Sequence, residues 1–208
     1  MKNLKYKIEF HTYWHCGSGL AAGADLDSLV VKDSNSLPYV PGKTIKGMIK
    51  EAVVEIRGFQ DKKIDAEFKD CFGYFDGKEI DSTTQDDKTI EDNMQRGKVF
   101  FTNAELSCQE QKAIVDNKAQ SFLYTSIAST ALDENGVAKE HSLRTMQVTV
   151  PCTLFGEILD IPDEMYSEIK NALGYIKRLG QNRNRGLGRC TIQAEGGDNH
   201  FRKEFFQE

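Results

Sequence analysis

A loop rich in arginine and glycine is the stretch of this sequence whose residue types point most directly to chemistry. Residues 179–189 contain three arginines, three glycines and no acidic residue, and Lys177 and Arg178 extend the positive charge. Glycine lets a backbone approach a ligand closely and adopt a positive φ angle. Arginine presents a rigid fork of donors that matches phosphate oxygens. The pattern indicates either a loop that binds a phosphate chain or a glycine-rich turn with solvated arginines.

A second group of cations lies at the start of a predicted helix. Apolar residues at helical spacing predict a helix over about Thr44–Arg57, and Lys43, Lys46 and Lys50 lie at or near its first turns. Free backbone N–H groups and the helix dipole favour anions there, although a solvated lysine face explains the same pattern. The apolar stripe consists of Ile45, Met48, Ile49, Ala52, Val53 and Ile56.

Carboxylates occur in a segment of small residues after the first predicted strand. Asp25, Asp27 and Asp33 lie there, and one carboxylate on a loop can act as a base or position a hydrated metal ion. Aspartate is also a common turn residue, and the residues alone favour that interpretation. His15, in the same segment, is interpreted as a hydrogen-bonded loop histidine, with an acid–base role as the alternative.

Composition is typical of an ordinary globular domain. The chain has 208 residues, 39% of them hydrophobic and 28% charged, with a net charge of −5. No apolar run is long enough to span a bilayer and no signal-like segment is seen, so we expect a cytoplasmic protein without membrane contact. Five scattered cysteines without a C-x-x-C pair argue against a structural metal site. Acidic residues are concentrated in 61–92, and basic residues are concentrated in 43–50 and 177–189. One face of the protein can therefore bind RNA despite the negative net charge.

The order of predicted elements indicates an α+β fold. Alternating and helical patterns give strand, helix, strand, strand, helix, strand, which is the β-α-β-β-α-β order of a ferredoxin-like domain. We predict strands over 4–14, 99–106, 146–159 and 189–194, the helix over 44–57, a second helix opening at Pro162-Asp163, and a short helix that closes at Phe72-Gly73.

Two long insertions interrupt this order, at about 15–41 and 107–145. The second contains a β-prone segment at 121–128 and a turn signal at Asp133–Gly136, which together predict a projecting hairpin. Loops of this length in a compact domain are usually functional. We therefore predict one domain over 1–195 with two functional insertions, followed by a tail over 196–208.

Several motifs carry a resemblance to a known family. They occur in the family's order along nearly the whole chain, and the Pro-Tyr-Val-Pro-Gly segment with the arginine-glycine loop is the most specific combination. The chain resembles the RAMP (repeat-associated mysterious protein) superfamily of CRISPR systems, and looks like the backbone subunits of type III effector complexes. The motifs are His15–Gly19, Asp27–Asp33, Leu37–Gly47, Cys71–Gly73, Thr125–Ala128 with Gly136–Lys139 and Leu143-Arg144, and the loop 179–189.

The resemblance implies an RRM-like domain with a protruding thumb hairpin. Copies would associate as a filament along a guide RNA (crRNA), together with other CRISPR effector subunits, and the thumb would splay the duplex with a complementary target RNA. Cleavage of the target would require a divalent cation, Mg²⁺ or Mn²⁺, and an aspartate after the first strand. Asp27 matches that aspartate in the pattern D-x-x-V-x-x-D.

The same resemblance assigns the remaining candidate residues. Members that cleave usually carry Ile-Asp-Arg near the thumb base, where this chain has Ile127-Ala128-Ser129. An RNA-binding subunit without cleavage therefore stays open as an alternative, as does a guide-processing endoribonuclease of the same superfamily. The candidates for RNA binding are His15, Lys43, Thr44, Lys46, Lys50, Arg144, Arg178, Arg183, Arg185 and Arg189.

Overall fold

The first strand lies at the centre of the main sheet. A computed structural model of the chain describes residues 1–20, 26–75, 94–131 and 133–194. The predicted alternation of the first strand is confirmed, since Leu4, Tyr6, Ile8 and Phe10 are buried. In chain order the helices and strands are β1 (Lys2–Phe10), α1 (Gly42–Phe59), α2 (Ala66–Phe72), β2 (Gly73–Phe75), β3 (Met94–Arg96), β4 (Phe100–Phe101), α3 (Cys108–Asp116), β5 (Tyr124–Ser129), β6 (Arg144–Thr149), β7 (Thr153–Ile161), α4 (Asp163–Tyr175) and β8 (Cys190–Ala194).

The main sheet has the strand order β4-β7-β1-β8, and all its pairs are antiparallel. The strands β1 and β4, which α1 connects, are therefore parallel to each other and separated by β7. This is a split β-α-β arrangement, as the order of elements predicted. The α+β class is confirmed.

Helices α1 and α4 share one hydrophobic core with the sheet. The predicted α1 stripe is confirmed: the central residues Ile45, Ile49, Ala52 and Val53 are buried, and Met48 and Ile56 pack at the edge of the core. The α4 stripe is buried along its whole length, and consists of Met165, Ile169, Ala172 and Leu173, continued by Ile176 and Leu179 beyond the helix.

The predicted strand over 146–159 is wrong as one element, because the chain forms two strands there. Residues Arg144–Thr149 pair with Tyr124–Ser129 in a hairpin, whereas Thr153–Ile161 pairs with β1 in the main sheet. Pro151 lies between them, and proline has no N–H group to donate to a ladder. The break lets the chain pass from the hairpin into the main sheet.

Strands β5 and β6 and the turn between them form a hairpin, called the thumb hairpin below. The hairpin predicted for this insertion is therefore confirmed. The segment after β1 packs against its base through the backbone bridges Trp14↔Thr149 and Ser28↔Met146. The first insertion is thereby attached to the second.

Two elements differ from expectation in the middle of the chain. Helix α3 was not predicted, although Ser107 and Glu110 form a capping box at its start, a signal visible in the sequence. The predicted strand over 99–106 is interrupted after Phe101, and one extra residue lies between the Phe101–Ile158 and Glu105–Phe155 pairs. This bulge brings the Asn103 side chain to the backbone N–H of Gly42, at 3.0 Å, where α1 begins.

The proposed tail and most of the acidic segment, together with Asp25, lie outside the described residues. The domain limits of 1–195 and 196–208 therefore stay a prediction. None of the helices in the described ranges is long and apolar enough to cross a membrane.

A buried arginine joins the end of α1 to α2 and α4. Arg57 is 2% exposed, and its guanidinium lies 2.7 Å from Glu168 and 3.0 Å from Asp65. Burial raises the pKa of each carboxyl group, but hydrogen bonds outweigh burial, so both pKa values lie below the ordinary 3.8 of Asp65 and 4.5 of Glu168. For Asp65 the donors are Phe68 N–H and Arg57, and for Glu168 they are Arg57 and Lys62.

Replacing this arginine tests the network. Arg57→Met removes the buried charge and takes from Asp65 and Glu168 the partner that they share. We therefore expect a loss of about 3 kcal/mol in the free energy of unfolding. Urea denaturation at neutral pH measures it. Lys62→Met is the matched control, because Lys62 binds the same Glu168 from an exposed position and should cost less than about 1 kcal/mol.

The folding stability of the parent protein and that of Arg57→Met should depend differently on pH. Because the folded pKa values are depressed, the carboxylates stabilise the fold above their ordinary pKa values, and that contribution is lost as pH falls through the folded values. The parent protein should therefore lose stability below about pH 4 more steeply than Arg57→Met. Parallel stability profiles for the two proteins would contradict this role.

Candidate nucleic-acid interface

The arginine-glycine loop is closed at its base by backbone contacts. Arg178 and Arg189 form an antiparallel bridge, and Leu179 N–H donates to the Gly188 carbonyl at 2.8 Å. Gly188 has φ +68°, and a Cβ atom there would lie 1.9 Å from the Leu179 carbonyl oxygen. Only glycine fits this position, so the sequence specifies where the loop closes.

A second glycine brings the loop against the segment that follows β1. Gly180 has φ +97°, and a Cβ atom there would lie 2.4 Å from the carbonyl oxygen of His15. The N–H group of Gln181 donates to that carbonyl at 2.8 Å. The loop is therefore attached to the backbone of His15.

His15 is fully buried, and its ring joins three segments of the chain. Its Nδ1 lies 2.6 Å from the Gln147 carbonyl of β6, and its Nε2 lies 3.1 Å from the Ser28 hydroxyl. A carbonyl only accepts, so Nδ1 carries the proton and Nε2 accepts from Ser28. Burial lowers the pKa of His15, and the hydrogen bond to Gln147 offsets this only in part. The ring is therefore neutral at pH 7 and joins β6 to Ser28, while the backbone carbonyl of the same residue holds the loop.

Two of the sequence-predicted groups meet in a cleft of about 320 Å³, called the arginine cleft below. One wall is the start of α1 with Lys43 and Thr44, and the other is the loop with Gln181 and Arg183. His15 forms part of the floor between them. Glu51 also lines the cleft. Lys43 and Arg183 have no carboxylate at ion-pair distance among the described residues, so their charge is available to an anion.

Lys46 and Lys50 line a different cavity of about 650 Å³, called the lysine cavity below, which Lys43 also borders. Lys50 donates to the Gly73 carbonyl at 3.3 Å. Burial, and then the positive charge of Lys50, lower the pKa of Lys46. Arg96 lies on the opposite wall. Sequence reasoning missed Arg96, because it follows an acidic segment and belongs to no basic run.

Apart from Arg183, the arginines of the loop lie outside the arginine cleft and the lysine cavity. Arg178 and Arg183 border a smaller cavity of about 170 Å³ that also contains Glu51 and Glu55. Arg185 is exposed in a 3-10 turn over Arg183–Arg185. Arg189 is exposed, and its N–H group donates to the Thr12 hydroxyl at 3.0 Å. The loop thus presents its cations on more than one side.

Asp27 is bound to strand β6 of the thumb hairpin. The Asp27 carboxylate accepts the Thr145 N–H at 2.7 Å through Oδ2, and the Asp27 N–H donates to the Thr145 carbonyl at 2.9 Å. Its Oδ1 has no hydrogen-bond partner within the described part of the chain. Arg144 is exposed beside Thr145. These two bonds to Thr145 fix the Asp27 carboxylate against β6.

No group of three or more metal-ligating side chains occurs among residues 1–20, 26–75, 94–131 and 133–194. Asp27 alone does not form a closed metal centre. A single carboxylate does suit Mg²⁺ held jointly with substrate phosphates and water. The Asp27 carboxylate therefore fits a divalent cation only where another molecule supplies further oxygen ligands.

Comparison with known proteins gives the family of this chain. Residues 7–191 match the model of the RAMP superfamily, and the chain belongs to that superfamily. The resemblance seen in the sequence motifs is confirmed at this level. Among curated proteins, none matches this sequence.

Two solved structures of the Cmr-beta complex contain a chain with the same fold. A chain of the type III-B Cmr-beta complex bound to cognate target RNA superimposes with a TM-score of 0.68 at 11% identity, covering 93% of this chain and 97% of that chain. A chain of the apo state of Cmr-beta superimposes with a TM-score of 0.64 at 10% identity and the same coverage. At this identity the likeness shows the fold.

The state of His15 can be measured directly. We expect NMR titration to give a His15 pKa below 6.5, because burial disfavours the charged ring, and to show the tautomer protonated at Nδ1. A lowered pKa also means that folding stability declines as pH falls below about 6.5, where the unfolded chain begins to bind the additional proton. His15→Gln assigns the signal, and a pKa above 6.5 would contradict the buried neutral ring.

Proposed function

We propose that this protein is a backbone subunit of a type III CRISPR effector complex that binds guide RNA in the arginine cleft. The observation that carries the proposal is the convergence of Lys43, Thr44 and Arg183 on opposite walls of one cleft. Membership of the RAMP superfamily supports it. So does the fold shared with a chain of a complex described as bound to cognate target RNA.

The cleft suits the sugar-phosphate backbone of RNA rather than particular bases. Lys43 and Arg183 supply cationic donors, and Thr44 supplies a hydroxyl. Such contacts are independent of sequence, as a subunit that accepts many guides requires. The net charge of −5 is no obstacle, because binding follows the local field of the cleft.

The same role includes partners in an assembly. Copies of this subunit associate along the guide RNA into a filament with other effector subunits, and each copy covers one segment of the guide. The thumb hairpin projects from the sheet and is attached at its base to the segment that carries Asp27. This geometry suits an element that inserts between a guide and its complementary target RNA.

Target RNA cleavage is the second part of the proposal, and Asp27 is its candidate catalytic residue. Cleavage by the 2′-OH of RNA requires in-line geometry and relief of charge at the phosphate. The Oδ1 atom of Asp27 faces no described donor and can accept the 2′-OH proton, while Arg144 offers a positive charge one residue from Thr145. A bound Mg²⁺ or Mn²⁺ would supply further charge neutralisation at the phosphate.

One observation favours a subunit that binds without cleaving. Ala128 and Ser129 lie opposite Thr145 and Arg144 in the hairpin register, at the positions where cleaving members carry aspartate and arginine. The arginine of this chain is thus on the partner strand. The guide-processing alternative has less support, because both ring nitrogens of the buried His15 are engaged.

Charge reversal in the loop tests guide binding. Arg183→Glu with Arg185→Glu should weaken binding to single-stranded RNA of every sequence alike and lower the slope of log K against log salt by about 0.7 per lost phosphate contact. Fluorescence anisotropy across a salt series measures both. The matched control is Lys112→Glu with Lys170→Glu, which makes the same charge change on exposed faces of α3 and α4. Equal effects in the two double variants would argue against the cleft.

Removal of one charge tests cleavage. Asp27→Asn keeps an acceptor for Thr145 N–H but removes the base, so target cleavage should fall by at least about 100-fold with RNA affinity unchanged. Asp33→Asn is the control, because Asp33 serves a turn through Asn35 N–H and Leu37 N–H. Full cleavage by Asp27→Asn would exclude Asp27. Absence of cleavage by the parent protein with Mg²⁺ or Mn²⁺ would identify the binding-only subunit.

A further inference from the structure

The lysine cavity has a charge composition that the arginine cleft alone does not explain. Lys43, Lys46, Lys50 and Arg96 line it, and none of the described residues that line it is acidic. By contrast, the cavity of about 470 Å³ beside β4 and β7 contains Glu105 and Glu157. Four cations that lie close together repel one another, and the pKa of Lys46 is lowered first by burial and then by the positive charge of Lys50. The cavity therefore favours an anion as its occupant.

The wall opposite α1 is held by tight backbone packing. Gly73 has φ +74°, and a Cβ atom there would lie 2.5 Å from the Gln95 carbonyl oxygen. A Cβ atom at Gly97 would lie 2.3 Å from the Cys71 carbonyl oxygen. The strands β2 and β3 thus approach the end of α2 closely, and this fixes the positions of Tyr74 and Arg96 across from the lysines.

We propose that the RNA strand in the arginine cleft continues past the start of α1 into the lysine cavity, where Arg96 contacts a phosphate and Tyr74 stacks on a base. This inference rests on the proposed function and extends it to a second subsite. Lys43 borders both cavities, so a strand can pass from one to the other without leaving the positive surface.

The lining chemistry suits a nucleic-acid strand better than a small anion. The lysines span residues 43–50 of α1, a rise of about 10 Å, which exceeds the reach of one phosphate group. Aromatic rings lie among the cations, since Tyr74 borders the cavity and Phe100 is 60% exposed there. Alternation of cations with stacking surfaces is the pattern that binds single-stranded RNA without sequence preference.

The contribution of Arg96 is measured with the full 208-residue chain and labelled single-stranded RNAs of about 4 and about 12 nucleotides. Arg96→Glu should weaken binding of the longer RNA about tenfold and lower its salt slope by about 0.7, with little effect on the shorter one, which the arginine cleft alone can hold. Lys112→Glu is the matched control and should change neither. Equal binding by Arg96→Glu and Lys112→Glu would overturn the inference.

The outcomes separate this inference from the function on which it rests. If Arg183→Glu with Arg185→Glu abolishes binding while Arg96→Glu does not weaken it, the guide cleft stands and the second subsite is excluded. If neither variant weakens binding, both are excluded.

Ultraviolet cross-linking provides an independent readout, because the tryptic peptide over 70–78 contains Tyr74. Cross-links should appear in that peptide and disappear in Tyr74→Ala, and their absence from the parent protein would overturn the stacking contact.

Discussion

The buried ring of His15 is the interaction on which the rest of the candidate interface depends. Its two nitrogens bind β6 and Ser28, and its backbone carbonyl binds the arginine-glycine loop. A neutral ring satisfies both partners at once, whereas a charged ring would lose the hydrogen bond from Ser28. This one residue, through its ring and its backbone carbonyl, therefore couples the loop that carries Arg183 to β6 of the thumb hairpin.

This coupling fixes the proposed guide-binding site and the proposed cleavage site relative to each other. The arginine cleft lies on one side of His15, and Asp27 lies one residue before Ser28, the residue that binds its ring. A guide held in the cleft would consequently have a fixed relation to the carboxylate at the thumb base. The lysine cavity adds a second positive surface across the start of α1, with Lys43 common to both.

Much of the fold could be predicted because burial imposes a period on the sequence. The alternation in β1 and the stripes of α1 and α4 each record which face meets the core. The interpretation of 146–159 as one strand failed because alternation continues through Pro151, although the two halves belong to different sheets. Helix α3 was missed because it buries no residue, and an exposed helix leaves no apolar stripe.

The sequence by itself determined the residues of the interface: the glycines at positions that need a left-handed backbone, the two basic runs, and the aspartate after the first strand. Tertiary structure decided which of them meet. It placed Lys43 with Arg183, brought Lys46 and Lys50 into one cavity with Arg96, and bound Asp27 to Thr145. These pairs lie far apart along the chain, and only strand pairing and helix packing bring them together, so no local pattern encodes them.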